Sequence, residues 1–162
     1  MKVLTKTLLL GLLLIVAAPV NGLAIDPRYA RAYYNRGFAL EAKDLNGAVG
    51  DYTKFIELEP DDADGYGKLA WVLATTSRNS VRDGKKAVAY ALKAAELTKW
   101  VDGGVLDTLA AAYAEAGNFD EAIKWENKAL SITEFAKTSG DEARKRLQLY
   151  TARKPYHEPL RK

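Results

Sequence analysis

From Leu106 onward the apolar residues fall at helical spacing: Leu106, Leu109, Ala110, Tyr113 and Ala114, then, past Gly117-Asn118, Phe119, Ala122, Ile123, Trp125, Ala129 and Leu130. Steps of three and four put each set on one face of a helix. Gly117 suits the left-handed residue that closes a helix, and Asn118 with Glu121 has the spacing of a capping box that opens the next. The segment therefore predicts two helices joined by a tight turn. Ser139 and Glu142 repeat the start signal and predict a seventh helix over about 140–150, before Pro155 stops regular structure.

The same pattern recurs upstream. Asp26-Pro27 returns as Glu59-Pro60, Tyr33 as Tyr66 and Gly37 as Ala70, each 33 residues later. From Leu69-Ala70 to Leu109-Ala110 the step is 40, and the excess lies in the polar insertion from Thr75 to Ser80. A period of this size marks stacked supersecondary units, none of which can bury its apolar face alone. No stretch alternates apolar and polar in the manner of a strand. The expected fold class is all-α, with each unit a pair of helices.

Three sets of residues carry a family likeness: Tyr33, Gly37, Leu40, Ala48, Tyr52 and Pro60; Leu69, Ala70, Leu73, Ala87 and Ala94; Leu109, Ala110, Tyr113, Gly117, Ala122 and Ala129. In this order they resemble the tetratricopeptide repeat, and the resemblance covers residues 23–134. It implies an α-solenoid of three antiparallel helix pairs over 23–135, wound as a right-handed superhelix (TPR-like), followed by a capping helix and basic tail over 136–162. Small residues on each helix of a pair let the backbones approach, and aromatic residues fill the space between pairs. The first unit departs from the pattern: its turn, Lys43-Asp44-Leu45, lacks Gly, Gly47 and Gly50 stand inside a helix, and Phe55 replaces an Ala. Each internal Gly costs about 1 kcal/mol relative to Ala, so the first unit is expected to be the weakest and to lean on the second.

The resemblance also implies a concave groove, lined by the first helix of each pair, that accepts a peptide or a partner's helix. Carried over residue by residue, the groove positions are Arg31, Tyr34, Asn35, Phe38 and Glu41 in the first unit, Lys68, Trp71 and Thr75 in the second, and Asp107, Thr108 and Ala111 in the third. Tyr34, Phe38, Trp71 and Arg31 are the types that dominate interface affinity, although Phe38 and Trp71 read equally well as core. One branch of the family clamps a C-terminal carboxylate. Arg31 and Asn35 fit that clamp, but Lys68 stands where it needs Asn, and Gly104 and Thr108 replace two basic residues, so a carboxylate clamp is not expected.

Composition changes the picture in two ways. The chain has 162 residues, 48% of them hydrophobic, and no Cys, enough for one domain that buries a core without disulfides or metal. Residues 1–22 differ from the rest: Lys2 and Lys6 precede the apolar run from Leu8 to Val16, and small residues follow, with Ala17, Ala18 and Gly22. This is the order of a secretory signal peptide. The 13 residues from Leu8 to Val20 fall short of the about 20 a spanning helix needs. The protein is expected to be exported, periplasmic or secreted, and to touch a membrane only if that segment is kept; with no Cys it carries no lipid anchor of the lipoprotein type. Without Lys2 and Lys6 the 24 basic residues become 22 against 21 acidic. The remaining basic excess sits near the C-terminus, at Arg144, Lys145, Arg146, Arg153, Lys154, Arg161 and Lys162, and reads as a solvated helix end rather than a nucleic-acid surface, since no stacking aromatic array accompanies it.

Candidate chemistry is sparse. His157 is the single His, leaving no pair for a metal and no nucleophile with a base. Asp62-Ala63-Asp64-Gly65 has a superficial likeness to a calcium loop, but Trp71 stands where the bidentate Glu is required, and helix capping accounts for these acids. Asp107 and Glu115 lie eight apart on one helix as a carboxylate pair or as ordinary solvated charges. No enzyme activity, cofactor, metal or small-molecule substrate is expected. The sequence reads as a non-catalytic interaction module that scaffolds a protein or peptide partner, the alternative being an accessory or chaperone-like subunit of an exported enzyme complex. The helix from about 140, with Ala143, Leu147 and Tyr150 on its apolar face, is expected to cover the exposed end of the last unit.

Overall fold

The computed structural model describes residues 27–159. The expected signal segment over 1–22, and Asp26 of the first repeat, lie outside the described residues. Those described form eight helices and no strand: α1 (Pro27–Leu40), α2 (Leu45–Leu58), α3 (Ala63–Thr75), α4 (Gly84–Leu97), α5 (Gly103–Glu115), α6 (Phe119–Leu130), α7 (Thr133–Thr138) and α8 (Gly140–Thr151). The fold is all-α.

Short polar side chains decide where the helices begin. Asp44 accepts from the Gly47 amide at 3.0 Å, Asp62 from Asp64 at 2.8 Å, Asp83 from Lys86 at 3.0 Å, Asp102 from Gly104 at 2.8 Å and Val105 at 3.1 Å, and Asn118 from Glu121 at 3.3 Å. Each satisfies an amide that the first turn leaves without a partner. The acids at Asp62 and Asp64 thus belong to a helix start. The capping box at Asn118 is half made, because the Glu121 carboxylate accepts from Lys124 and Trp125 instead of returning to the cap. Ser139 stands at the start of α8, but its side chain makes no cap bond.

The turn between α5 and α6 follows the sequence signal. Gly117 has φ +81°, and the closing bonds run from Asn118 N–H to Tyr113 C=O at 2.9 Å and from Gly117 N–H to Ala114 C=O at 3.0 Å, the arrangement in which a left-handed glycine lets the last carbonyls find donors. The longer connection after α3 is pinned by one side chain: Arg82 donates to the Thr76 carbonyl, to Asn79 and to Glu115 at 2.8–2.9 Å.

Each helix packs on the one that follows it through α7–α8, α3 packs on α5, and α8 returns onto α6. Alanine makes this close approach possible. Ala48, Ala70, Ala74, Ala87, Ala91, Ala94, Ala95, Ala110, Ala112, Ala122 and Ala129 are all fully buried, with Tyr52, Phe55, Leu69, Leu106 and Leu109 filling the space between. Gly37 lies on the Tyr52 ring, where a Cβ would come to 3.0 Å of Cε1, and Gly65 faces Phe55 and Ile56 between α3 and α2.

Two features differ from the sequence reading. A short helix, α7, stands between the last repeat and the closing helix, where seven helices rather than eight were expected. No side-chain cap starts it; it is placed by Phe135, which fills the space that the missing side chain of Gly103 leaves. On α8 the buried face is Ala143, Arg146 and Tyr150, with Leu147 only partly covered. Arg146, expected among solvated charges, is 7% exposed, because Asp107 of α5 receives it.

Candidate functional site

An open trough of about 510 Å³ runs across α1, α3, α5, α7 and α8. Tyr34 of α1 forms one wall, and Asp64, Lys68 and Trp71, at one-turn steps along α3, form the floor. Asp107 and Thr108 of α5 continue it, and Phe135, Glu142 and Arg146 close the far side. The helical period explains the alignment: residues 64, 68 and 71 share one face of α3.

The candidates drawn from the sequence differ in where the fold puts them. Tyr34, Lys68, Trp71 and Asp107 line the trough. Arg31 stands at its rim, with its guanidinium 4.5 Å from the Tyr34 ring centroid and paired with Asp64 at 3.3 Å and Asp62 at 3.7 Å. Phe38 and Asn35 are exposed on α1; Phe38 is 58% exposed, and the Lys68 ammonium sits 4.9 Å from its ring centroid. Of the remaining positions, Thr75, Thr108 and Ala111 are buried, Thr108 also lining the trough, and the Glu41 carboxylate accepts the Tyr52 hydroxyl at 2.6 Å and lies 4.0 Å from Lys68. Trp71 has both characters suggested for it: part of its side chain packs on the core, and part lines the trough.

Asp107 is held rather than free. Arg146 donates to its Oδ1 from Nε at 2.8 Å, and Arg146 Nε is 3.7 Å from Oε1 of the fully buried Glu126. Burial raises the Asp107 pKa and Arg146 opposes the rise. For Glu126, burial and then the Asp107 charge push the pKa up to about 10, so it is protonated at neutral pH. Asp107 and Arg146 therefore close this end of the trough as a bonded pair, with Glu126 buried behind them. Glu115, the other half of the carboxylate pair read from the sequence, is engaged elsewhere: it accepts Arg82 Nε at 2.9 Å and meets His157 Nε2 at 2.7 Å.

The C-terminal segment contributes residues that helical periodicity could not reveal. After α8 the chain runs back toward α3. The Tyr156 ring lies 6.1 Å from the Trp71 ring, and Glu158 accepts the Trp71 indole N–H at 2.8 Å. The Glu158 amide donates to the Thr75 carbonyl at 2.7 Å. Phe135, Glu142 and Arg146 were likewise missed. Gly103, a residue that invites a close neighbour, was the one signal pointing to Phe135.

Among the described residues no group of three or more His, Cys, Asp or Glu is placed to hold a metal ion, and no helix is long and apolar enough to cross a membrane. No protein-family model and no curated protein matches the chain. The trough presents the Lys68 ammonium, the Trp71 indole, the Tyr34 ring and the paired Asp107 and Arg146 side chains.

Proposed function

We propose that the chain is a non-catalytic, tetratricopeptide-like interaction module whose trough binds a peptide or helix of a protein partner. One observation carries the reading: Tyr34, Lys68, Trp71 and Asp107, groove positions that the repeat resemblance implies in three units, line a single open trough of about 510 Å³. A volume of this order, with aromatic walls and a few fixed polar groups, suits a polypeptide segment. The solenoid reading draws support from the packing of α1 with α2, α3 with α4 and α5 with α6, and of α3 with α5. It makes α1–α6 three helix pairs, with α7 and α8 covering the last.

Export to the periplasm or cell exterior is part of the proposal and rests on the order of charge, apolar run and small residues over 1–22. Mass determination of the mature N-terminus tests it: a chain that still begins at Met1 would remove this part.

The binding reading is tested with peptides selected from a displayed library against the full chain. Binders should weaken about thirtyfold on Lys68→Glu or Tyr34→Ala, and should be indifferent to Lys128→Glu on α6. Binders unaffected by both trough substitutions would overturn the reading.

A further inference from the structure

We propose that residues 155–159 are a built-in occupant of the surface beside Trp71, at the edge of the trough, and that the partner segment which replaces them carries an aromatic residue two positions before an acidic one. This rests on the trough being a polypeptide-binding surface, and it names the chemistry of what binds there.

The segment makes a polypeptide's contacts, and none requires its covalent link to α8. Tyr156 lies against Trp71, ring centroids 6.1 Å apart, and the Arg146 guanidinium is 5.6 Å from the Tyr156 centroid and 5.5 Å from that of Trp71. Glu158 accepts the Trp71 indole N–H at 2.8 Å. The Glu158 amide donates at 2.7 Å to the carbonyl of Thr75, the last residue of α3, a position where helices leave carbonyls without intrahelical donors. His157, between them, turns the other way onto Glu115 at 2.7 Å. Residues two apart sharing a face while the one between faces away is the geometry of an extended chain. Any extended segment with aromatic-x-acid spacing can present the same ring, carboxylate and amide.

Competition follows from Trp71. It lines the open trough, and it also lines the small cavity of about 90 Å³ against which Glu158 and Pro159 close. A polypeptide lying along the trough therefore meets residues 155–159 at Trp71. A tethered segment acts at a millimolar-scale effective concentration, and the apparent affinity of a competing segment falls by the fraction of time the site is open. A site open one part in a hundred binds about a hundredfold more weakly than its intrinsic affinity.

The test uses the full chain and a full-chain variant carrying Tyr156→Ser and Glu158→Gln, which leave all eight helices untouched. The probe is an acetylated, fluorescein-labelled peptide of residues 152–159. The Trp71 indole resonance, assigned with Trp71→Phe, reports independently whether the tail has left. The expected result is a shifted Trp71 resonance in the variant and at least tenfold tighter peptide binding than by the wild type, with a peptide carrying Gln at position 158 binding at least tenfold more weakly. An unchanged Trp71 resonance would show that the tail does not occupy the site. A shifted resonance with equal binding by both proteins would remove the gating and leave the trough reading standing. If neither protein binds the probe while library-selected peptides still bind, the aromatic-x-acid chemistry is wrong and the trough reading survives; if nothing binds, both fall.

Discussion

Arg146 Nε and Nη2 each lie 2.8 Å from Asp107 Oδ1, tying α8 to α5 across 39 residues of sequence. Their side chains are only 9% and 8% exposed, so both ions have left water. A buried pair recovers its desolvation cost only while both partners remain, and removing one leaves an uncompensated charge that costs about 3–5 kcal/mol. Arg146→Met should therefore lower the unfolding free energy by about 3–5 kcal/mol in urea titration. Adding Asp107→Leu should restore most of it. A loss below about 1 kcal/mol for the single variant would mean that the pair does not hold α8 in place.

Glu126 makes the same cluster sensitive to pH. Burial and the neighbouring Asp107 charge push its pKa up to about 10, against about 4.3 in an unfolded chain. The native state keeps a proton that the unfolded chain releases. Stability from this group is thus fully present below about pH 4 and is lost as pH rises toward 10, at up to about 1.4 kcal/mol per pH unit. Glu126→Gln preserves the shape and has no proton to lose. The wild type should lose stability between about pH 5 and 9, while the variant profile is flatter and higher at the alkaline end. Equal slopes in chemical denaturation across that range would exclude Glu126 as the source.

Two glycines should respond to alanine in opposite directions. Gly50 lies inside α2, and an added Cβ meets nothing within 4 Å, so Gly50→Ala should stabilise by about 0.5–1 kcal/mol through the helix propensity it gains. At Gly84 the Cβ would come to 2.6 Å of the Ala116 nitrogen and 2.7 Å of the Glu115 carbonyl carbon. Backbone cannot move aside as a side chain can, so Gly84→Ala should cost about 1–3 kcal/mol. Melting temperatures that move together in both variants would contradict this account of how closely α4 meets the end of α5.

What the sequence made legible was what local rules determine. Gly117 and Asn118 marked a turn because a left-handed residue and a cap are each specified within a few positions. The repeat resemblance named Lys68 and Trp71 as groove positions, and both stand on the floor of the trough. The 33-residue register also relates Arg31 to Asp64, the two residues that pair across α1 and α3. Distant events were not legible. Positions 146 and 147 both lie near the buried face of α8, and hydropathy favours the leucine; the arginine is chosen because a carboxylate waits on α5. Helix α7 has six residues and no cap, and exists where Phe135 finds the open face of Gly103. Residues 155–159 carry no periodicity, and their course depends on one indole N–H and one helix-end carbonyl.

The unequal attachment of α1 leads to the last prediction. Among the described residues of α1, Ala30 is the one buried hydrophobic side chain, whereas α5 buries Leu106, Leu109, Ala110, Ala111, Ala112 and Ala114. α1 meets α3 through Arg31, itself 48% exposed, and its partners Asp62 and Asp64, 35% and 58% exposed; surface pairs of this kind contribute about 0–1 kcal/mol. Arg36 adds a two-bond pair to Asp51 of α2, at 2.6 and 2.7 Å, which joins α1 to its own unit rather than to the rest. α1 can therefore open ahead of α3–α6, since it buries few apolar side chains of its own. Native-state hydrogen exchange should show amides of residues 31–40 exchanging at least about tenfold faster than those of 106–114, a difference of about 1.4 kcal/mol in opening free energy. Equal protection in the two segments would mean that α1 opens only with the whole fold, and that the polar contacts at Arg31 and Arg36 hold it as firmly as the alanine-rich packing holds α5.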